Sequence, residues 1–185
     1  MDKKLKKYIA HYDAIQNCKS HALLPNGGMI VLINQDTNCE VTIENQAYIL
    51  ESFQAILINA YEEPVTVQSN DTLDLIAVRF KGAGASFFYE EQMDVLMQHP
   101  KEPIYMENNI LENALDSYFK NRLKPSKLPF NIMKIIDLLD EQGSDYSIDE
   151  VLAIANVPRK ILDKMFRLRT GLTCKTYAGL SELGN

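Results

Sequence analysis

Residues 147–173 read SIDEVLAIANVPRKILDKMFRLRTGLT, and this stretch decides the fold of the carboxyl-terminal part of the chain. Ser147 can accept a hydrogen bond from a backbone N–H, and Glu150 can reach back to the backbone of Ser147, which is the pattern of a capping box. Apolar residues then recur every three or four positions, at Ile148, Val151, Leu152 and Ala155. The pattern predicts an amphipathic helix that starts at Ser147.

A second helix is predicted from Pro158 to about Arg169. Pro158 cannot continue the first helix because it lacks an N–H, but its fixed φ suits the start of a new one. Gly171, just beyond this helix, is a residue type that commonly ends helices. The apolar side of this helix consists of Ile161, Leu162, Met165, Phe166 and Leu168. Two helices joined by so short a break are typical of a helix-turn-helix.

Positive charge is concentrated on the second predicted helix. From Pro158 to Tyr177 there are six basic residues and one acid, Asp163. A helix with this charge can approach the phosphate backbone of double-stranded DNA. The predicted DNA contacts are Arg159, Lys160, Lys164 and Arg167 in the major groove, with Arg169 and Lys175 nearer the backbone.

The segment from Ser147 to Tyr177, with its Phe166-Arg167 and Thr170-Gly171 core, resembles the first helix-turn-helix of AraC-type transcriptional regulators. The resemblance implies a DNA-binding regulator. One departure is Val157, which stands where the family has Ser or Thr, so the second helix loses a side-chain cap worth about 1 kcal/mol.

A second departure is that AraC-type domains carry two helix-turn-helix units joined by a long helix. This sequence ends at Asn185, just past the first unit. Residues 178–185 are expected to begin the joining helix, which Gly179, Gly184 and the absent second unit leave unsupported. We therefore expect a single or truncated helix-turn-helix.

Charge divides the 185 residues into two parts. Residues 1–120 hold nine basic and seventeen acidic side chains, whereas residues 121–185 hold ten and eight. The first part would repel DNA and the second would not. We predict a first domain over 1–120, a polar linker over 121–128 that contains Pro125, and a helix-turn-helix domain over 129–185 braced by a helix from Ile132 to at least Leu139.

The amino-terminal part reads as short strands separated by polar turns. The predicted strands are Gly28–Ile33, Cys39–Glu44, Ala47–Leu50, Ala55–Ile58, Val65–Val67 and Leu73–Phe80. This pattern predicts an antiparallel barrel or sandwich, so the fold class is α+β. The stretches 23–28 and 78–85 resemble the cupin-like sensor domain of some AraC-type proteins, which implies the same fold here.

Helical patterns follow the strands, from Phe87 to about His99 and from Ile110 to Phe119, the second with apolar residues at 111, 114, 115, 118 and 119. In AraC-type proteins, the helices that follow the sensor domain often form the contact between two subunits. The resemblance therefore implies a homodimer.

No enzymatic or metal chemistry is indicated. His11, His21 and His99 lie in separate segments without the spacing of a metal cupin, and no nucleophile or phosphate-loop motif occurs. Three widely spaced cysteines are expected to be reduced, and no cofactor is expected. The sequence has no signal core and no apolar run of about 18 residues, which predicts a cytoplasmic protein without a membrane partner.

The predicted barrel can serve as a binding module for a small-molecule effector. Candidate ligand-binding residues are Tyr48, Phe53, Tyr61, Arg79 and Phe80. Each of them could equally belong to the core or the rim. Two other functions stay open: a ligand-binding or interaction module whose helix pair does not bind DNA, favoured by the net charge of −6, and a cupin enzyme.

Overall fold

The structure, a computed structural model, describes residues 1–58, 63–89, 112–125 and 129–183. Its amino-terminal part contains eight strands: β1 (Ile9–Gln16), β2 (Ser20–Leu23), β3 (Ile30–Asn34), β4 (Cys39–Ile43), β5 (Gln46–Leu50), β6 (Ala55–Ile58), β7 (Val65–Gln68) and β8 (Asp74–Phe80). Five α-helices follow within the described residues: α1 (Glu112–Arg122), α2 (Ile132–Gln142), α3 (Ile148–Ala155), α4 (Arg159–Thr170) and α5 (Cys174–Leu183). The predicted α+β class is confirmed.

The strands form two antiparallel four-stranded sheets that pack face to face as a sandwich. The first sheet has the order β1-β8-β3-β6, and the second has the order β2-β7-β4-β5. All six predicted strands are present, with ends shifted by no more than two residues. The sequence analysis missed β1 and β2. β1 lies at an edge and its register with β8 shifts between Ile9 and His11, so its apolar residues do not alternate regularly.

The first sheet is buried on both faces, which explains the continuous apolar run of β3. Ile30 and Leu32 point into the space between the sheets, which is filled by buried apolar side chains. Val31 and Ile33 point the other way, into a second cluster shared with the helices. A strand covered on both faces reads as an unbroken hydrophobic run, whereas β4 of the second sheet alternates because one of its faces meets solvent.

A chain segment of small residues connects the sandwich to the helices. Residues Gly82–Phe87 form a 3-10 helix in which every residue is buried. Its neighbours come from both parts of the molecule, because Gly84 lies against the carbonyl of Tyr8 and Gly82 lies against the side chain of Ile136 in α2. The buried side chains of the helix-facing sheet and of all five helices form one continuous apolar cluster.

The helices α2, α3 and α4 appear where the sequence predicts them. Ile132, Ile135, Ile136 and Leu139 of the predicted brace α2 are all buried. The expectation for the carboxyl end was wrong, since α5 begins at Cys174 rather than near Ala178 and is well supported. Thr173 caps it by accepting a hydrogen bond from the N–H of Thr176 at 3.1 Å.

Several predictions fall partly outside the described residues. Only residues 87–89 of the helix predicted from Phe87 to His99 belong to them, and Ile110 and Leu111 of the next predicted helix do not. The division into two domains and a linker, and the homodimer, stay predictions.

All three cysteines are free thiols. Among the described helices, none combines the length and the apolar character that a membrane span requires.

Candidate nucleic-acid interface

The first helix of the predicted pair, α3, is capped at both ends. The hydroxyl of Ser147 accepts from the N–H of Glu150 at 3.4 Å, as predicted. The other bond of the capping box, which was expected from the N–H of Ser147 to Glu150, is replaced. The N–H of Ser147 instead donates to Oε1 of Gln142 in α2, at 3.2 Å. The same side chain donates to the Glu150 carboxylate at 2.8 Å, so the start of α3 is fixed to α2. At the other end, Asn156 adopts φ 50°, the left-handed conformation that ends helices.

The second helix, α4, starts one residue later than predicted. Pro158 has ψ 144° and lies just outside the helix, and its carbonyl accepts from the N–H groups of Ile161 at 2.8 Å and Leu162 at 3.1 Å. No side chain caps this start, in agreement with the expectation from Val157. Gly171 ends the helix at φ 78°, as predicted.

The side chains of α4 divide into a buried and an exposed face. Leu162, Phe166 and Thr170 are fully buried. With about 100° between successive residues, the positions opposite to them are 160, 161, 164, 167 and 168. The side chains there are Lys160, Ile161, Lys164, Arg167 and Leu168, and the first four of them are exposed. We call these five residues the outer face of α4.

Three of the six predicted DNA contacts lie together on this outer face, namely Lys160, Lys164 and Arg167. None of them forms an ion pair with another described residue. Lys164 and Arg167 also line an open groove of about 390 Å³ with Asp163 and Leu168. The outer face therefore carries three positive charges within two turns of helix.

The other three predicted contacts lie elsewhere. Arg159 stands at the start of α4 and pairs with Asp163 at 3.9 Å, one turn further on. Arg169 is half-buried on the opposite flank, and its Nη1 donates to the carbonyl of Ser86 at 3.4 Å. Lys175 is exposed in the first turn of α5. Arg169 thus links α4 to the segment Gly82–Phe87.

The buried face of α4 rests on α5, which is tied to α2. The rings of Phe166 and Tyr177 lie 6.0 Å apart. The hydroxyl of Tyr177 donates to the carboxylate of Asp140 in α2 at 2.7 Å. Burial raises the pKa of Asp140 even though this hydrogen bond acts to lower it, and burial raises the pKa of the Tyr177 hydroxyl well above its ordinary value. This contact joins α5, on which α4 rests, to α2.

Further bonds fix the carboxyl-terminal end of this support. The carboxylate of Glu182 in α5 accepts from the N–H and from the hydroxyl of Ser144, at 2.7 and 2.9 Å. These hydrogen bonds lower the pKa of Glu182. Burial raises the pKa of the Cys174 thiol to about 12, so it stays protonated at neutral pH. The helix α5, on which α4 rests, is therefore held at two points, to α2 through Tyr177 and to the segment after α2 through Glu182.

The predicted ligand-binding residues of the sandwich are not brought together. Tyr48 lies on β5 beside the inter-sheet cluster, and Phe53 lies half-exposed in the turn that follows β5. Arg79 pairs with Asp13 at 2.8 Å. Phe80 faces the helices within a buried aromatic cluster, and Tyr61 lies outside the described residues. In the part of the chain that the structure describes, no group of three His, Cys, Asp or Glu side chains is arranged to hold a metal.

Sequence reasoning placed Ile161 in the buried stripe, and this was wrong because 40% of its side chain is exposed. The helical spacing contains the signal, since Ile161 lies about 100° from Leu162 and about 140° from Phe166. Because Ile161 is hydrophobic, it was grouped with the buried apolar residues despite its position on the helix.

Comparisons with known proteins show a shared fold at low identity. A structure of ToxT from Vibrio cholerae O395, bound to (E)-4-(8-methylnaphthalen-1-yl)but-3-enoic acid, gives a TM-score of 0.50 at 12% identity and covers 91% of this chain and 79% of ToxT. Wild-type ToxT from Vibrio cholerae strain SCE256, bound to an unsaturated fatty acid, gives 0.49 at 9% identity over 92% and 76%. At this identity the likeness shows the fold alone, so the chain shares the fold of the ToxT structure. The sequence matches no protein-family model and no curated protein.

Proposed function

We propose that this chain is a DNA-binding transcriptional regulator that resembles the AraC type, in which α4 enters the major groove. The observation that carries the proposal is the outer face of α4, where Lys160, Lys164 and Arg167 are exposed on the side opposite the buried residues. The three side chains lie within two turns of one helix, and the major groove, about 12 Å wide, admits an α-helix.

The surroundings of each basic residue set its expected share of the binding. Lys160, Lys164 and Arg167 can each neutralise one phosphate at little cost, because none of them forms an ion pair with another described residue. Arg159 has Asp163 beside it, and Arg169 already donates to the Ser86 carbonyl. We therefore expect the first three residues to dominate, with Arg159, Arg169 and Lys175 contributing less.

The test is binding of the full chain to mixed-sequence duplex DNA over a salt series. Each phosphate contact adds about −0.9 to the slope of log K against log salt. The triple variant Lys160→Ala/Lys164→Ala/Arg167→Ala should make that slope shallower by about 3, and it should lose at least about ten-fold in affinity near 0.1 M salt. Fluorescence anisotropy with a labelled duplex measures both quantities.

The matched control removes the same charge from another exposed surface, as Lys3→Ala/Lys4→Ala/Lys6→Ala. It should keep the wild-type slope to within about one contact. If both triple variants lose affinity equally, binding follows net charge alone and α4 is no recognition helix. If the wild-type chain does not bind any duplex even at low salt, the second candidate function, an interaction module without DNA binding, is favoured.

We also propose that the chain binds a small-molecule effector of the amphipathic carboxylic acid class, the class of molecule that is bound in the ToxT structure with the same fold. The support within this chain is an open cavity of about 430 Å³ where the amino-terminal segment meets the start of α2. Lys7 offers a positive charge at this cavity, and Tyr8, Phe87 and Phe130 offer apolar surface.

Thermal unfolding in the presence of (E)-4-(8-methylnaphthalen-1-yl)but-3-enoic acid tests the effector proposal. Ligand that binds the folded chain raises Tm with its concentration. The rise should be reduced in Lys7→Gln and kept in Lys6→Gln, a neighbouring exposed lysine that does not line the cavity. An unchanged Tm at millimolar ligand, or an equal response of the two variants, would contradict the proposed site.

A further inference from the structure

Ile161 is an exposed apolar side chain in a strongly basic setting. Within the described residues, five large hydrophobic side chains are exposed, and Ile161 is the one that belongs to the helix pair. It lies on the outer face of α4 between Lys160 and Lys164, and the partly exposed Leu168 follows it two turns later on the same face. The surface that meets this helix must therefore combine negative charge with an apolar group.

The major groove of duplex DNA offers that combination. Phosphates line both of its sides, and the 5-methyl group of thymine is the apolar group that the bases present on this edge. Lysines placed around an isoleucine would contact phosphates while the isoleucine contacts the methyl group. A mainly apolar protein surface would instead bury Lys160 and Lys164 without partners, which is costly.

The position of Ile161 within α4 fits contact with a base. Ile161 is the third residue of the helix, which begins at Arg159. In helix-turn-helix proteins, the amino-terminal residues of the second helix contact base edges in the major groove. The first turn here offers only one exposed apolar side chain, at Ile161, since Leu162 is fully buried.

We infer that Ile161 is a specificity-determining residue that selects thymine through its 5-methyl group at one position of the DNA site. This inference rests on the proposed DNA-binding function and adds to it a base preference at a named residue. It implies that the chain distinguishes thymine from uracil in otherwise identical duplexes, because the two bases differ by that methyl group alone.

The experiment begins with selection of a preferred duplex from a random library by the full chain. Each thymine of the selected duplex is then replaced singly by deoxyuridine, and the binding constant is measured. At one position the wild-type chain should lose about four-fold in affinity, the amount expected for one methyl group that is no longer buried. The variant Ile161→Ala should bind the thymine and uracil duplexes equally at that position.

The matched control is Ile49→Ala, which truncates an isoleucine that is 65% exposed on the sandwich. It should keep the four-fold discrimination. The inference is overturned if no sequence is enriched, if no thymine is sensitive to the change, or if Ile161→Ala discriminates as the wild type does. In all three cases salt-dependent binding lost in the triple variant still supports the proposed function, whereas a wild-type chain that binds no duplex overturns both.

Discussion

Replacing Phe119 with alanine should lower the free energy of unfolding by about 3–5 kcal/mol. Phe119 is fully buried in α1, and its ring lies 5.1–6.5 Å from the rings of Tyr118, Phe88, Phe80 and Tyr12. Apart from Tyr118, which precedes Phe119 in α1, these neighbours come from β1, from β8 and from the segment after β8, so the vacated space cannot close without moving the first sheet. Urea unfolding followed by far-ultraviolet circular dichroism measures the change.

The control for this substitution is Phe53→Ala, which removes the same ring from a side chain that is 43% exposed in the turn after β5. Its expected cost is about 0.5 kcal/mol, as for surface positions in general. If the two variants lose similar stability, α1 does not pack against the sheet as described here. A further variant, Phe119→Leu, should recover part of the loss because it refills most of the volume.

The aromatic cluster also shows why the sequence could not distinguish core residues from ligand-binding residues. Phe80 follows Arg79 at the end of β8, and the alternation of a strand says only that their side chains point to opposite faces. Which face meets the helices depends on α1, which lies more than 30 residues later in the chain. The ring of Phe80 is 5.7 Å from that of Phe119, and the side chain is fully buried in the core.

The helix pair could be predicted in detail because its signals are local. Ser147, Asn156 and Gly171 each fix a helix end through hydrogen bonds or φ values that involve residues no more than four positions away. The outer face of α4 is likewise set by the helical repeat. What the sequence could not show is the destination of Arg169, because its partner Ser86 lies 83 positions earlier.

The run Gly82-Ala83-Gly84-Ala85 gives the clearest example of a pattern whose role depends on distant residues. In sequence it lacks the third glycine of a dinucleotide-binding loop, so no function could be assigned to it. In the structure, Gly84 lies against the backbone of Tyr8, just before β1, Gly82 lies against Ile136 of α2, and the adjacent Ser86 accepts a hydrogen bond from Arg169 of α4. The small residues of the run therefore serve packing between the sandwich and the helices.

Substitution of Gly84 tests that role. A Cβ at Gly84 would lie 2.1 Å from the carbonyl oxygen of Tyr8, which already accepts from the N–H of Lys81 at 2.9 Å. Gly84→Ala must therefore break this backbone hydrogen bond or displace a fully buried segment. We expect a loss of at least about 3 kcal/mol in the free energy of unfolding, from overpacking together with the lost hydrogen bond.

The same substitution at Gly179 should have the opposite sign, which makes it the matched control. Gly179 lies inside α5, and an added Cβ would meet only the hydroxyl oxygen of Ser144, at 4.0 Å. Alanine there should raise the free energy of unfolding by about 0.5–1 kcal/mol, because glycine loses more conformational entropy in a helix. Urea unfolding of the two variants beside the wild type measures both changes. A stable Gly84→Ala variant would mean that the segment after β8 does not pack against Tyr8, and the support that this segment gives to α4 through Ser86 would then have to be reconsidered.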